Sequence, residues 1–287
     1  MTSPRPSWWP SWPPAPPTTS CSRSTTCWSA CASAPCWSRS RATSCPASPT
    51  STRSSARGSP PTTRSTPSPT FWGTTGIGYD SDHVEAPTSW KALFDPRHAG
   101  KISVIDSKGD VFDQALLAAG MDINSTDKPA IRERVYPMLR AQKELLRAYD
   151  SNPARALAAG DTWIAQIDSG DLFRAQKQRP SLRYVIPEEG AVLWIDYLAI
   201  PATAPLPGVA VRFIDFLLDP EIAALNANAL RFATPNLAAV QRGLVADAGD
   251  PALYPSAETR KKLLVSENWF GETEAVVDEL WLELRRA

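Results

Sequence analysis

The sequence predicts an α/β fold with a mostly parallel sheet, and three observations carry that prediction. Short apolar runs of strand length recur between residues 71 and 200. Stretches with apolar residues at helical spacing separate them. Gly, Pro, Asn and Asp mark most of the joins, as turns and helix ends require. Strands that alternate with helices are the pattern of a sheet built from crossover units.

Taken in order, residues 71–79 (FWGTTGIGY) read as a Gly-spaced apolar strand that ends in a turn. Gly73, Gly76 and Gly78 do not follow the order of a phosphate loop or dinucleotide fingerprint, so they read as tight strand packing. Thr88 and Ser89 start a short helix through Phe94, and 102–105 is a short strand. A polar turn over 106–110 holds Gly109, and Asp110 caps a helix over 111–119. An amphipathic helix runs from about 129 to 149, kinked or broken at Pro137 because proline has no N–H to donate. Residues 152–159 form a helix that Gly160 stops. A strand over 162–167, a helix over 170–176 and a strand over 182–185 follow. Residues 191–200 read as a buried strand ended by Pro201. Residues 208–218 place Val209, Phe213, Phe216 and Leu217 on one helical face. Helices over 220–230 and 273–286 complete the pattern.

The first 70 residues do not belong to that pattern. They use nine residue types and hold 14 of the 28 Pro, all 5 Cys and 7 Arg, with no acidic residue and no Leu, Ile, Val or Phe. Without aliphatic side chains such a segment has nothing to offset the entropy of ordering, so no packed domain is expected there. No apolar run of signal-peptide type stands in residues 1–30. The formal charge of zero is the sum of two unlike parts: +7 in residues 1–70, and 23 basic against 30 acidic residues, or −7, in residues 71–287. The basic segment has no Lys and its Arg are scattered singly, so no nucleic-acid partner is expected. Residues 71–287 contain no Cys and no apolar run long enough to cross a membrane.

After Met1, every residue of 2–70 is of a type encoded by codons with C or G at the second position. A GC-rich gene read one base late produces that alphabet, because its third codon positions become second positions. Residues 1–70 therefore read as an out-of-frame translation, with the true frame resuming near Phe71. The alternative is a genuine Pro/Ser/Thr/Arg-rich disordered arm. Read back one base, Thr66–Thr70 is compatible with Tyr-Ser-Val-Pro-Tyr, a strand running into Phe71.

Several stretches stand in a recognisable order. They are 71–78 (FWGTTGIG), the acidic turn before Val111-Phe112, 160–165 (GDTWIA), 194–201 (WIDYLAIP), 216–218 (FLL), 234–238 (TPNLA) and 253–255 (LYP) ahead of Trp269. Together they resemble the spermidine/putrescine-binding proteins, the extracytoplasmic receptors of polyamine ABC importers, and the resemblance covers residues 66–287. It implies a two-lobed periplasmic-binding-protein fold of type II with its ligand between the lobes. Residues 71–83 and 196–235 would be a remnant of the first lobe, and 84–195 and 236–287 the second. It also implies a polyamine ligand, permease subunits as partners, no cofactor, no catalysis and a periplasmic location.

A polyamine needs carboxylates at ammonium spacing and aromatic walls for its methylenes. Trp194 and Asp196 stand two apart on a strand, so both can face one cleft. By resemblance Trp194 is the stacking wall and Asp196 holds an ammonium; the plain alternative is a core Trp beside a strand-end Asp. Asp110 matches the family's acidic residue before Val-Phe, its alternative being a helix cap. A second family carboxylate falls on Ser107, with Asp106 adjacent. Three departures are visible. Asp168 stands where the family commonly has Trp, Phe232 where it has Tyr, and Phe270 where it can have an amide. A lost aromatic and a gained carboxylate at Asp168 imply a ligand of altered length or charge. His83 and His98 are the only histidines and have no metal-ligand spacing. No nucleophile–base set is legible. Two other readings remain at this stage: a solute-binding protein for a different small ligand, and an α/β enzyme acting on a small amine.

Overall fold

The computed structural model describes residues 67–286, so most of the low-complexity segment lies outside the described residues. The fold is organised on one long strand, β1 (Ser68–Asp80), which begins ahead of Phe71. Its register shifts between Pro69 and Phe71, next to a proline that cannot donate to the ladder. Its first half pairs with β6 (Ala191–Leu198) and its second half with β4 (Ile164–Asp168) and β5 (Leu182–Val185), all antiparallel. Strand β2 (Ile102–Ile105) lies parallel to β3 (Leu146–Asp150) and to β4, and β7 (Leu263–Leu264) lies parallel to β6. The order is β3-β2-β4-β1-β6-β7, with β5 on β1. The sheet is therefore mixed rather than mostly parallel, because β1 runs against every strand it touches.

Helices connect these strands. They are α1 (Lys108–Ala118), α2 (Lys128–Ala130, a π turn over Ile131–Val135, then Tyr136–Lys143), α3 (Pro153–Ala159) and α4 (Ser169–Ala175). Beyond β6 come α5 (Pro207–Leu217), α6 (Pro220–Leu230), α7 (Leu237–Gln241), α8 (Ala257–Arg260) and α9 (Gly271–Arg286). Gly160 ends α3 in the left-handed conformation, as its position in the sequence implies.

Three expectations about the helices change. Asp110 is not the cap of α1; Ser107 holds that position and Asp110 lies in the first turn, where a carboxylate still favours the helix dipole. Pro137 does not break α2. The turn ahead of it widens to a π turn, with the Tyr136 N–H bonding the carbonyl of Ile131, and the helix continues to Lys143. Residues 146–150 leave the helix for β3, because pairing with β2 overrides the local helical pattern. The buried Gln142 fixes that helix end by donating to the Leu93 carbonyl at 3.1 Å while its amide exchanges bonds with Gln114.

The principal core joins α1, α2 and α9 through Phe112, Leu116, Val135, Leu139, Val277, Leu280 and Leu284. A second cluster unites Ile77, Trp90, Leu93, Ile102 and Ile164, and a third packs α3 and α4 on Ala165 and Ile167. The far end of β1 is locked by Asp80, whose wholly buried carboxylate accepts from Arg179 Nε at 2.7 Å and pairs with His83 Nδ1 at 3.0 Å. Burial thins beyond β6. Only Ala191 and Val192 of that strand are buried, against the expectation of a buried strand, and α5 has no buried residue. Helix α6 packs through Ala224 on Ala239 and Val245 in a small separate cluster. No helix among the described residues is long and apolar enough to cross a membrane.

Candidate functional site

The register of β1 assembles the site. Trp194 on β6 lies opposite Gly73, and Asp168 at the end of β4 lies opposite Thr75. The indole occupies the space above Gly73: a Cβ there would sit 2.4 Å from a ring carbon, so only glycine fits without moving Trp194. The indole N–H donates to Asp168 Oδ1 at 3.0 Å, and the Thr75 hydroxyl donates to the same oxygen at 2.6 Å. Phe232 meets Trp194 edge to face, with ring centroids 5.0 Å apart. It reaches that place because residue 170 is glycine, where a Cβ would come within 2.3 Å of the phenyl ring. Arg174 lies over Phe232 at 5.1 Å from the ring centre.

Two further carboxylates lie within electrostatic reach of Asp168. Asp196 follows Trp194 by two residues, so it shares the strand face, and it is exposed. Asp110 enters from the first turn of α1. Its backbone carbonyl accepts from Gln166 Nε2 at 2.8 Å, which ties α1 to β4. Burial raises the Asp110 carboxyl above its ordinary range, and the Ser107 hydroxyl partly offsets this. Burial likewise raises Asp168; the negative charges of Asp110 and Asp196 add to the shift, while Thr75 and Trp194 oppose it. Among the described residues none of these three carboxylates is in an ion pair with a basic side chain.

The structure thus gathers Ser107, Asp110, Asp168, Trp194, Asp196 and Phe232. It does not bring in the other two expected residues. Asp106 is taken by Arg285 of α9, at 2.8 and 3.4 Å. Phe270 stands 69% exposed just ahead of α9, while its neighbour Trp269 is buried against Phe112. Four contributors were not singled out by sequence reasoning. Thr75 and Arg174 depend on strand register and helix placement, which the sequence does not state. Gly170 has a signal only in retrospect, as a small residue required by a distant ring. Asp113, one turn beyond Asp110, is almost wholly buried with its Oδ1 unpaired. Burial pushes its carboxyl up to about 7, Asp110 adds to this, and the Ser266 hydroxyl opposes it.

A partly enclosed aromatic flanked by carboxylates that are in no ion pair among the described residues is suited to holding a cation. The chain belongs to the bacterial extracellular solute-binding protein family, whose pattern matches residues 44–258. Within it, the chain is 31% identical over 224 residues to spermidine/putrescine-binding periplasmic protein 1 of Haemophilus influenzae, covering 76% of this chain and 61% of that one. It is 34% identical over 220 residues to the spermidine/putrescine-binding periplasmic protein of Escherichia coli, covering 76% of this chain and 63% of the relative. The chain therefore spans a little over three fifths of these curated relatives. The crystal structure of the spermidine/putrescine ABC transporter substrate-binding protein PotD from Streptococcus pneumoniae superposes with a TM-score of 0.67 at 31% identity, over 77% of this chain and 68% of that one.

Proposed function

We propose that this chain is the substrate-binding component of an ABC importer for polyamine-like cations, that it acts outside the cytoplasm, and that it carries out no catalysis. The observation that carries this reading is that Asp110 and Asp196 lie within electrostatic reach of Asp168, the carboxylate that holds the Trp194 indole. In the relatives' setting such a protein closes on its ligand by hinge motion and presents the closed form to permease subunits. Trp194 supplies the face against which methylenes and an ammonium pack. Asp196 accepts charge-assisted hydrogen bonds from one end of the ligand, and Asp110 does so from another.

Titration with spermidine, putrescine and a neutral diol of similar length tests the reading. The amines are expected to bind and the diol not to. Binding is expected to fall at least tenfold in Asp196→Ala and in Trp194→Ala, since each removes a contact worth on the order of 1–3 kcal/mol. Equal response to the diol, or amine binding unaffected by both substitutions, would overturn the assignment. Affinity in this chain is expected to be modest, because the part of the relatives that it does not match would contribute the opposite wall.

A further inference from the structure

We propose that Arg231 is a positioning residue for the cleft: it locks the turn between Leu230 and Ala233 onto α4 and so holds Phe232 edge-on to Trp194. The inference names what sets the place of the second ring, and only its affinity readout rests on the polyamine reading above.

The backbone marks the residue. Among the described residues Arg231 is the only non-glycine with a positive φ, at 60°. It closes α6 in the left-handed conformation, its N–H bonding the Ala227 carbonyl at 2.8 Å. Two residues later Ala233 already bridges to Trp72 of β1, where the Trp72 N–H reaches the Ala233 carbonyl at 3.0 Å. The chain therefore passes from helix to sheet within Arg231 and Phe232, and a left-handed residue makes that reversal. Glycine would adopt the conformation without a Cβ penalty, whereas an arginine stores strain. Strain of this kind persists where surrounding contacts over-determine it.

Those contacts are present. The Arg231 guanidinium lies over Phe173 of α4, 5.4 Å from the ring centre. Its Nε stands 3.2 Å from Asp247 Oδ2, an ion pair without hydrogen-bond alignment. Asp247 follows Val245 of the small cluster around Ala224, so one side chain ties that cluster to α4. The residues on either side are held by the same helix. Arg174 donates to the Leu230 carbonyl and lies over the Phe232 ring. A Cβ at Gly170 would come within 2.6 Å of the Arg231 carbonyl, so the glycine admits this turn as well as the phenyl ring. Helix α4 starts directly after Asp168, which holds the Trp194 indole. Its start thus fixes one ring and its body fixes the other. Trp194 is seated in the sheet by β6, while Phe232 arrives from the thinly buried region and depends on these tethers. A ring already in place does not have to be ordered when a ligand binds, which favours affinity.

The experiment uses the full chain and Arg231→Gly, which eases the left-handed turn while removing both tethers. Nuclear magnetic resonance reads the ring contact in the free protein, through the indole protons of Trp194 assigned by Trp194→Phe. Phe232→Leu supplies their position without the neighbouring ring. In Arg231→Gly these resonances should move at least about half way to the Phe232→Leu position. Relief of strain offsets the lost ion pair, so the melting temperature should change by no more than about 3 °C. Spermidine affinity should fall roughly three- to tenfold. Asp247→Asn leaves the backbone at 231 untouched and should move the same resonances in the same direction by less; it carries the test if the glycine variant does not fold. Indole resonances unchanged by Arg231→Gly would overturn the proposal. Resonances that move while spermidine affinity stays the same would overturn the role of Arg231 in binding and leave the polyamine reading standing. Failure of the original chain to bind spermidine would overturn the polyamine reading, and the ring shift alone then decides the place of Arg231.

Discussion

Helices α5 and α9 carry the same kind of pattern and meet opposite fates. Helix α9 turns Thr273, Val277, Leu280 and Leu284 inward at spacings of three and four, and all four are buried. Helix α5 has a comparable stripe of Val209, Phe213 and Phe216, yet these side chains stand 50%, 59% and 54% exposed. The difference lies in what faces them. Helix α9 packs on α1 and α2, whereas α5 makes its chief helix contact with α6, whose own Leu225 and Leu230 are also exposed. An amphipathic stripe is thus a capacity for burial, and only a partner surface turns it into stability. Each large apolar side chain contributes roughly 1.5–3 kcal/mol when fully buried, so the α5 stripe leaves on the order of several kcal/mol unrealised.

That contrast can be broken by substitution. The largest effect is expected at α9: Leu280→Ala should cost about 2–5 kcal/mol by urea unfolding, since a cavity opens in the principal core. The contrast sharpens if the residues ahead of Phe71 are supplied in the alternative reading frame. In that protein Phe213→Ala should become a core substitution costing about 3–5 kcal/mol. In the present chain Phe213→Ala should change stability by no more than about 0.5 kcal/mol. A cost above 2 kcal/mol in the present chain would show that α5 already has a partner.

Between these extremes stands Asp113. Its carboxyl in the folded chain titrates near 7, above the ordinary value of 3.8. A carboxyl raised by folding favours the folded state below its unfolded value, and that contribution is lost as pH rises through the folded value. Stability should therefore decline between about pH 4 and pH 7. Asp113→Asn should remove that decline and stabilise the protein at pH 8 by on the order of 2–4 kcal/mol. Identical pH profiles for the two proteins by thermal melting would show that Asp113 is relieved by some other group.

The local part of the candidate site is legible in the sequence. Trp194 and Asp196 follow from two-residue alternation on a strand, and Asp110 from its place before an apolar helix. Asp168 was marked as a carboxylate where an aromatic was expected. Asp106 was misplaced because sequence adjacency to Ser107 says nothing of direction, and Arg285, 179 residues away, claims it. Phe270 was misplaced for the same reason: Trp269 turns into the core and its neighbour turns out.

The sequence by itself determined most of the strands and helices, close packing at the glycines of β1, and the acidic character of residues 71–287, because these depend on periodicity, side-chain volume and charge. It also determined that residues 1–70 bring no aliphatic core. Only the tertiary structure decided the mixed sheet, the conversion of 146–150 to a strand, and which carboxylates share the cleft. Strand register sets those outcomes: it joins Thr75 to Asp168 and Gly73 to Trp194 through pairings between residues 93 and 121 positions apart, a distance over which no local pattern carries information.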